Sequence, residues 1–167
     1  RPGPVWIDVP LDIQSALIKK PKKILYSQKK NKPQINKTKL LKLKKLIQTS
    51  KKPVFLIGHG AKISRSEKSF INLVSKFKIP VLFTWNAMDI LPFDHKYNFG
   101  RPGNVALRSS NFIVQNSDLI IVVGCKLDNI ITAFSPKNFA PFAKKIYVNI
   151  FNKTINANME INVNFFI

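Results

Sequence analysis

Few side chains in this sequence could do chemistry, and their spacing narrows the choice. The two histidines, His59 and His95, lie far apart, with no carboxylate or cysteine at ligand spacing. A metal site is therefore not expected. Cys125 directly follows an apolar run and reads as a small buried hydrophobe rather than a nucleophile. No order of serine, histidine and acid suggests a triad. What remains is glycine-rich. Gly58-His59-Gly60 follows an apolar run, but Ile63 stands where a dinucleotide fingerprint needs its third glycine. Tight turns use glycine in any case. Arg101, one of four arginines, sits in the Pro/Gly loop Gly100-Arg101-Pro102-Gly103, where a cation could meet a phosphate or simply face solvent. Asp128 is either a turn residue or a ligand contact.

These residues must be positioned by the elements around them. Short, continuously apolar runs at residues 54–57, 81–83 and 119–123 read as buried strands, and residues 145–150 as a fourth. Two further strands are expected at residues 5–9, bracketed by prolines, and at 161–166. Between them come amphipathic stretches. Residues 38–49 place Leu40, Leu43 and Ile47 at helical spacing, with lysines on the other face. Ser64 and Glu67 have the spacing of a capping box, ahead of a stripe of Phe70, Leu73, Val74 and Phe77. Residues 104–116 give a weaker face of Val105, Ser109, Phe112 and Ile113. Residues 84–103 read as loop, and residues 11–37, with Pro21, Pro33 and many lysines, as a surface linker. Apolar strands alternating with amphipathic helices predict an α/β fold, a Rossmann-like parallel sheet with helices on both faces. Ligands of such sheets bind beyond the carboxyl ends of the strands, where Gly58, Thr84 and Gly124 fall.

The 167 residues suffice for one domain, and 45% hydrophobic content fills a core, which excludes an intrinsically disordered chain. No apolar run approaches the length of a bilayer span. The net charge is +20, carried by 24 lysines and only four arginines, beside 16 Asn and 21 Ile. That combination reads as a coding bias, and base-specific contacts favour the scarce guanidinium fork, so nucleic acid is not the expected partner. A single cysteine suggests a reducing compartment, the cytoplasm. A start at Arg1-Pro2-Gly3, without initiator Met or leader pattern, reads as an excerpt of something longer.

Six segments in order carry a resemblance. They are residues 1–14 (Arg1-Pro2-Gly3-Pro4-Val5 through Leu11-Asp12-Ile13-Gln14), Lys52-Pro53-Val54 through Gly58-His59-Gly60-Ala61, and Ile79-Pro80-Val81 through Thr84-Trp85-Asn86-Ala87. Gly100-Arg101-Pro102-Gly103, residues 111–119 and Gly124-Cys125-Lys126-Leu127-Asp128 complete the set. Together they resemble the central domain of thiamine-diphosphate-dependent enzymes of the acetolactate synthase-like family. The resemblance implies three parts: residues 1–14 ending a preceding pyrimidine-binding domain, residues 15–37 linking, and residues 38–167 forming the central Rossmann-like domain. It implies a parent enzyme that decarboxylates a 2-oxo acid and transfers the resulting unit, with thiamine diphosphate as electron sink. The Gly-Asp-Gly motif that holds the cofactor's diphosphate and magnesium in the family is missing here, and the activating glutamate belongs to the first domain. No catalytic or metal-binding residue is therefore expected in this chain, which should be inactive alone. The flanking pyrimidine- and diphosphate-binding domains would be its partners, in a homo-oligomer.

In acetolactate synthase the central domain also holds FAD. Carried over position by position, the resemblance nominates Gly58 and Gly60 after the first strand, Gly100, Arg101 and Gly103 on the middle loop, and Gly124, Lys126 and Asp128 after the third strand. Glycines there would let backbone N–H groups approach a diphosphate. Two departures stand out. Lys126 and Ile130 replace arginines of the family's run, and Gly100-Arg101-Pro102-Gly103 replaces Gly-Met-His-Gly, which favours a synthase-like relative over a synthase proper. The rival expectation is a stand-alone basic module binding nucleotides or nucleic acid, which a reading frame confined to this segment would favour.

Overall fold

The structure, a computed structural model, describes residues 3–19, 36–150 and 164–167. They fall into two compact units, one containing residues 3–19 and the other everything from residue 36 onward. In the first unit, residues 3–10 are irregular and exposed, and form no strand. The helix α1 (Leu11–Ser15) follows, where the sequence suggests linker. Pro10 can precede a helix because the first N–H groups are unpaired anyway, and Asp12 favours the positive end of the first turn.

The second unit is built on five parallel strands: β1 (Pro53–Ile57), β2 (Val81–Phe83), β3 (Leu119–Val123), β4 (Lys144–Val148) and β5 (Phe165–Phe166), in the spatial order β2-β1-β3-β4-β5. The chain steps from β1 outward to β2, then returns to lay β3 on the other side of β1. In register, Phe55 lies beside Val81 and Ile121, and Ile57 beside Phe83 and Val123. The expected tail strand is seen only as β5; residues 161–163 lie outside the described residues.

Continuous apolarity in β1 and β3 has a plain cause, because both faces of the sheet are covered. Val54, Leu56, Ile120, Val122 and Tyr147 point into one core with Val114, Leu127, Ile131 and Phe139. Phe55, Ile57, Val81, Phe83 and Ile121 point into the other with Phe70 and Val74. Full burial of each such side chain contributes about 1.5–3 kcal/mol.

The second core is covered by α2 (Lys37–Thr49) and α4 (Glu67–Phe77). Asn36 caps α2 by accepting from the Lys39 N–H at 3.1 Å. The inward stripe of α2 is Leu43, Leu46 and Ile47, and Leu40 is 41% exposed instead. The expected capping box does not form. Ser64 donates to the Ala61 carbonyl at 3.0 Å, closing the short helix α3 (Gly60–Ile63), and Ser66 precedes α4. The other core is covered partly by α5 (Arg108–Asn116), which is shorter than expected and rotated. Ser110 and Val114 are buried, while Val105 and Phe112 are 54% and 67% exposed. The reason is polar: the Ser110 hydroxyl donates to the Phe99 carbonyl, drawing that side of the helix inward. Residues 85–90, expected as loop, form a 3-10 helix (Trp85–Ile90).

Candidate functional site

The reversal of strand order at β1 and β3 puts a crevice where these two parallel strands end side by side, the usual ligand position in open α/β sheets. The loops that close these strands carry five of the eight nominated residues. The Gly58 N–H donates to the Val123 carbonyl at 2.9 Å, and the Gly60 N–H to the Gly124 carbonyl at 2.8 Å. Gly124 in turn donates to the Val148 carbonyl at 2.9 Å. The two loops therefore lie directly on each other. A side chain on Gly58 would meet the Cys125 Cα and Gly124 oxygen at 2.4 Å. One on Gly124, whose φ is +56°, would meet Ala61 N and Gly60 backbone at 2.8 Å.

Beyond Gly124 the chain is held down by short-range polar contacts. The Asp128 carboxylate accepts the Ile131 N–H at 3.0 Å, and the Thr132 hydroxyl donates to the Asp128 carbonyl at 2.9 Å. Lys126 is exposed. Cys125 is fully buried, and burial, with Asp128 nearby, pushes its thiol well above the ordinary range, so it stays protonated and is no nucleophile. The buried Tyr147 hydroxyl donates to the Cys125 carbonyl and pins this loop to β4.

The middle loop stands on the far side of β2. Phe83 N–H donates to the Gly100 carbonyl at 2.9 Å, and Gly100 N–H to Asn98 Oδ1 at 2.9 Å. Asn111 on α5 grips Gly103 from both sides, its Oδ1 accepting at 2.8 Å and its Nδ2 donating at 2.9 Å. Arg101 does not point to open solvent. Its guanidinium stacks 3.4 Å from the Trp85 ring centroid, and its Nε donates to the Val105 carbonyl at 2.9 Å. Lys62 on α3 pairs with Asp89 of the 3-10 helix at 2.6 Å, and the His59 ring lies 3.1 Å from the Asn86 carbonyl. The structure thus brings Gly58, Gly60, Gly124, Lys126 and Asp128 together, and holds Gly100, Arg101 and Gly103 as a separate braced loop. Among the described residues no group of His, Cys, Asp and Glu could hold a metal ion.

Sequence reasoning missed Asp118, at the opposite end of the sheet. Its carboxylate accepts from the Ser50 hydroxyl, the Lys51 N–H at 2.7 Å and the Lys52 N–H at 2.9 Å. Burial works to raise this carboxyl, but the hydrogen bonds prevail and hold it below the ordinary value. It ties the end of α2 to the start of β3. An aspartate just before a buried strand, with Ser50-Lys51-Lys52 just before its parallel neighbour, was the available signal.

A family described as "Thiamine pyrophosphate enzyme, central domain" matches residues 40–166. The chain is 32% identical over 150 residues to the acetolactate synthase isozyme 1 large subunit of Escherichia coli K12, covering 90% of this chain and 26% of that protein. It is also 32% identical over 168 residues to the probable acetolactate synthase large subunit of Methanocaldococcus jannaschii, covering 98% of this chain and 28% of that protein. The Mycobacterium leprae acetolactate synthase is 31% identical, with 98% and 26% covered. The chain spans about a quarter of the length of these relatives.

Proposed function

Because the chain belongs to the thiamine pyrophosphate enzyme central-domain family, we propose that it is the middle scaffold of an enzyme that decarboxylates a 2-oxo acid and transfers the product unit to an acceptor. The family match running through β1 to β5 carries this reading. The comparisons lend no support to a stand-alone basic nucleic-acid module, and the lysines of α2 face outward while its other side packs on the core.

In this proposal thiamine diphosphate, with magnesium, supplies the electron sink for decarboxylation and is held by domains flanking this sheet. This chain's residues do no bond-making. Their task is spacing, with the doubly covered sheet as a rigid body whose strands cannot slide without exposing a core. Residues 1–14 end the preceding pyrimidine-binding domain, 15–37 link, and 38–167 form the central domain. The apolar side chains Val5, Trp6, Ile7 and Leu17, 79% exposed or more, support a neighbouring domain that covers them. Phe93 and Phe142, 87% and 83% exposed, support burial in a homo-oligomer. The single, buried Cys125 fits a cytoplasmic enzyme; among the described residues no helix is long and apolar enough to cross a membrane. No step of this reading passes through FAD.

The test is retention of thiamine diphosphate by the full-length protein, with and without magnesium, read as thiochrome fluorescence after desalting. Stoichiometric, magnesium-dependent retention is the expected result. Failure to retain the cofactor under both conditions would overturn the proposal.

A further inference from the structure

We infer that the glycine crevice of this domain is sealed by its own backbone and does not receive a flavin dinucleotide, so that the parent enzyme, on the reading just given, works without FAD. A dinucleotide diphosphate on glycine loops needs two things. The space left by each missing Cβ must be open to the ligand, and the backbone N–H groups must be free to donate to it. Neither condition holds at the glycines nominated for the role.

The space is filled with protein. Beyond the contacts of Gly58 and Gly124, a Cβ on Gly60 would meet Gly124 Cα at 2.7 Å, and one on Gly103 the Ile130 oxygen at 2.1 Å. Even at Gly100, the least crowded of them, a Cβ would stand 3.1 Å from Leu107 Cδ1. Gly58, Gly60, Gly103 and Gly124 are glycines because backbone passes against backbone, and Gly100 because its φ is +75°, which explains them without a ligand. The donors are also committed. Gly58, Gly60 and Gly124 donate to Val123, Gly124 and Val148 carbonyls, and Gly100 and Gly103 to Asn98 and Asn111 side chains.

The charges do not compensate. Arg101 is turned onto Trp85, with its Nε donating to the Val105 carbonyl and its Nη1 facing Met88 Sδ, so the cation is aimed at these partners and the indole face is covered. The Asp128 carboxylate stands on the same loop as Lys126 and would repel a diphosphate. Among the nominated residues that leaves Lys126, an exposed ammonium whose pairing with an anion is worth at most about 1 kcal/mol. One exposed cation by itself cannot hold a doubly charged group that has lost its water.

The experiment uses the full-length protein, incubated with excess FAD, thiamine diphosphate and magnesium. After desalting, the visible flavin band reads FAD and thiochrome fluorescence reads thiamine diphosphate, so the two assignments fail separately. A parallel equilibrium titration follows quenching of FAD fluorescence, which catches binding too weak to survive desalting. The expected result is retained thiamine diphosphate, no flavin band above background, and no saturable quenching below about 1 mM, where binding would be worth only about 4 kcal/mol. A flavin band near one per subunit, or saturation at micromolar FAD, would overturn the inference. Absence of both cofactors would leave the sealed crevice standing and count against the thiamine assignment alone.

Discussion

Replacing Gly124 by alanine probes the contact between the two strand-end loops directly. The residue sits at φ +56°, where an added Cβ costs about 1–2 kcal/mol against the following carbonyl. The Cβ would also stand 2.8 Å from Ala61 N and the backbone of Gly60, atoms that cannot swing aside. Pushing the α3 turn away adds about 1–3 kcal/mol of overpacking, and loss of the Gly60 N–H bond to the Gly124 carbonyl about 1 kcal/mol more. The sum, about 3–6 kcal/mol, is a large part of the 5–15 kcal/mol typical of a domain. Urea unfolding followed by circular dichroism would read it as a lower midpoint at unchanged slope. Gly58→Ala isolates the contact from the left-handed backbone and should cost about 1–3 kcal/mol, because its Cβ meets Cys125 backbone at 2.4 Å. Gly3→Ala is the control, with nothing within 4 Å, and should shift stability by less than about 0.5 kcal/mol. If Gly124→Ala and Gly3→Ala prove equally harmless, the loops are not in contact and the sealed crevice is wrong.

Two further outcomes follow from the polar contacts. Asp118→Ala should cost about 2 kcal/mol, less than three buried charge-assisted bonds would imply, because Lys51 and Lys52 are exposed and water can replace part of the loss. Since its folded pKa is depressed, the contribution of Asp118 is fully present above about pH 4 and is lost as pH falls through the folded value, so wild type and variant should converge in acid. Parallel curves down to the lowest pH at which both fold would refute this. Arg101→Ala should lower stability by about 1 kcal/mol and raise the accessibility of Trp85 to acrylamide, because the stacked guanidinium is removed. Arg101→Lys should restore only part, lacking the planar fork. Unchanged quenching in Arg101→Ala would show that the stack does not persist in solution.

The sheet was legible because burial on both faces leaves a period-free apolar run, as in Leu119–Val123 and residues 54–57. Helix faces were harder. Leu40 and Phe112 have the right residue type and spacing, yet Leu46 and Ser110 are what the packing uses, since one buried hydroxyl bond outweighs an extra apolar residue at a rim. Ser64 and Glu67 satisfy a sequence pattern that two short consecutive helices interrupt. The glycines show a deeper limit. A glycine that admits a phosphate and one that admits a neighbouring backbone are the same residue at the same strand end, and only the backbone 2.4 Å from where a Gly58 Cβ would stand distinguishes them. Arg101 poses the same problem, because a Pro/Gly loop reveals nothing of the Trp85 ring sixteen positions earlier that occupies its guanidinium.

The central claim is that this domain spaces catalytic groups that it does not itself possess. Decarboxylation of a 2-oxo acid such as pyruvate, measured side by side for the full-length enzyme and for these 167 residues, tests it most directly. The account predicts turnover by the full-length enzyme that depends on added thiamine diphosphate and magnesium, and none by this chain at any concentration of either. Turnover by the 167 residues unaided would contradict it.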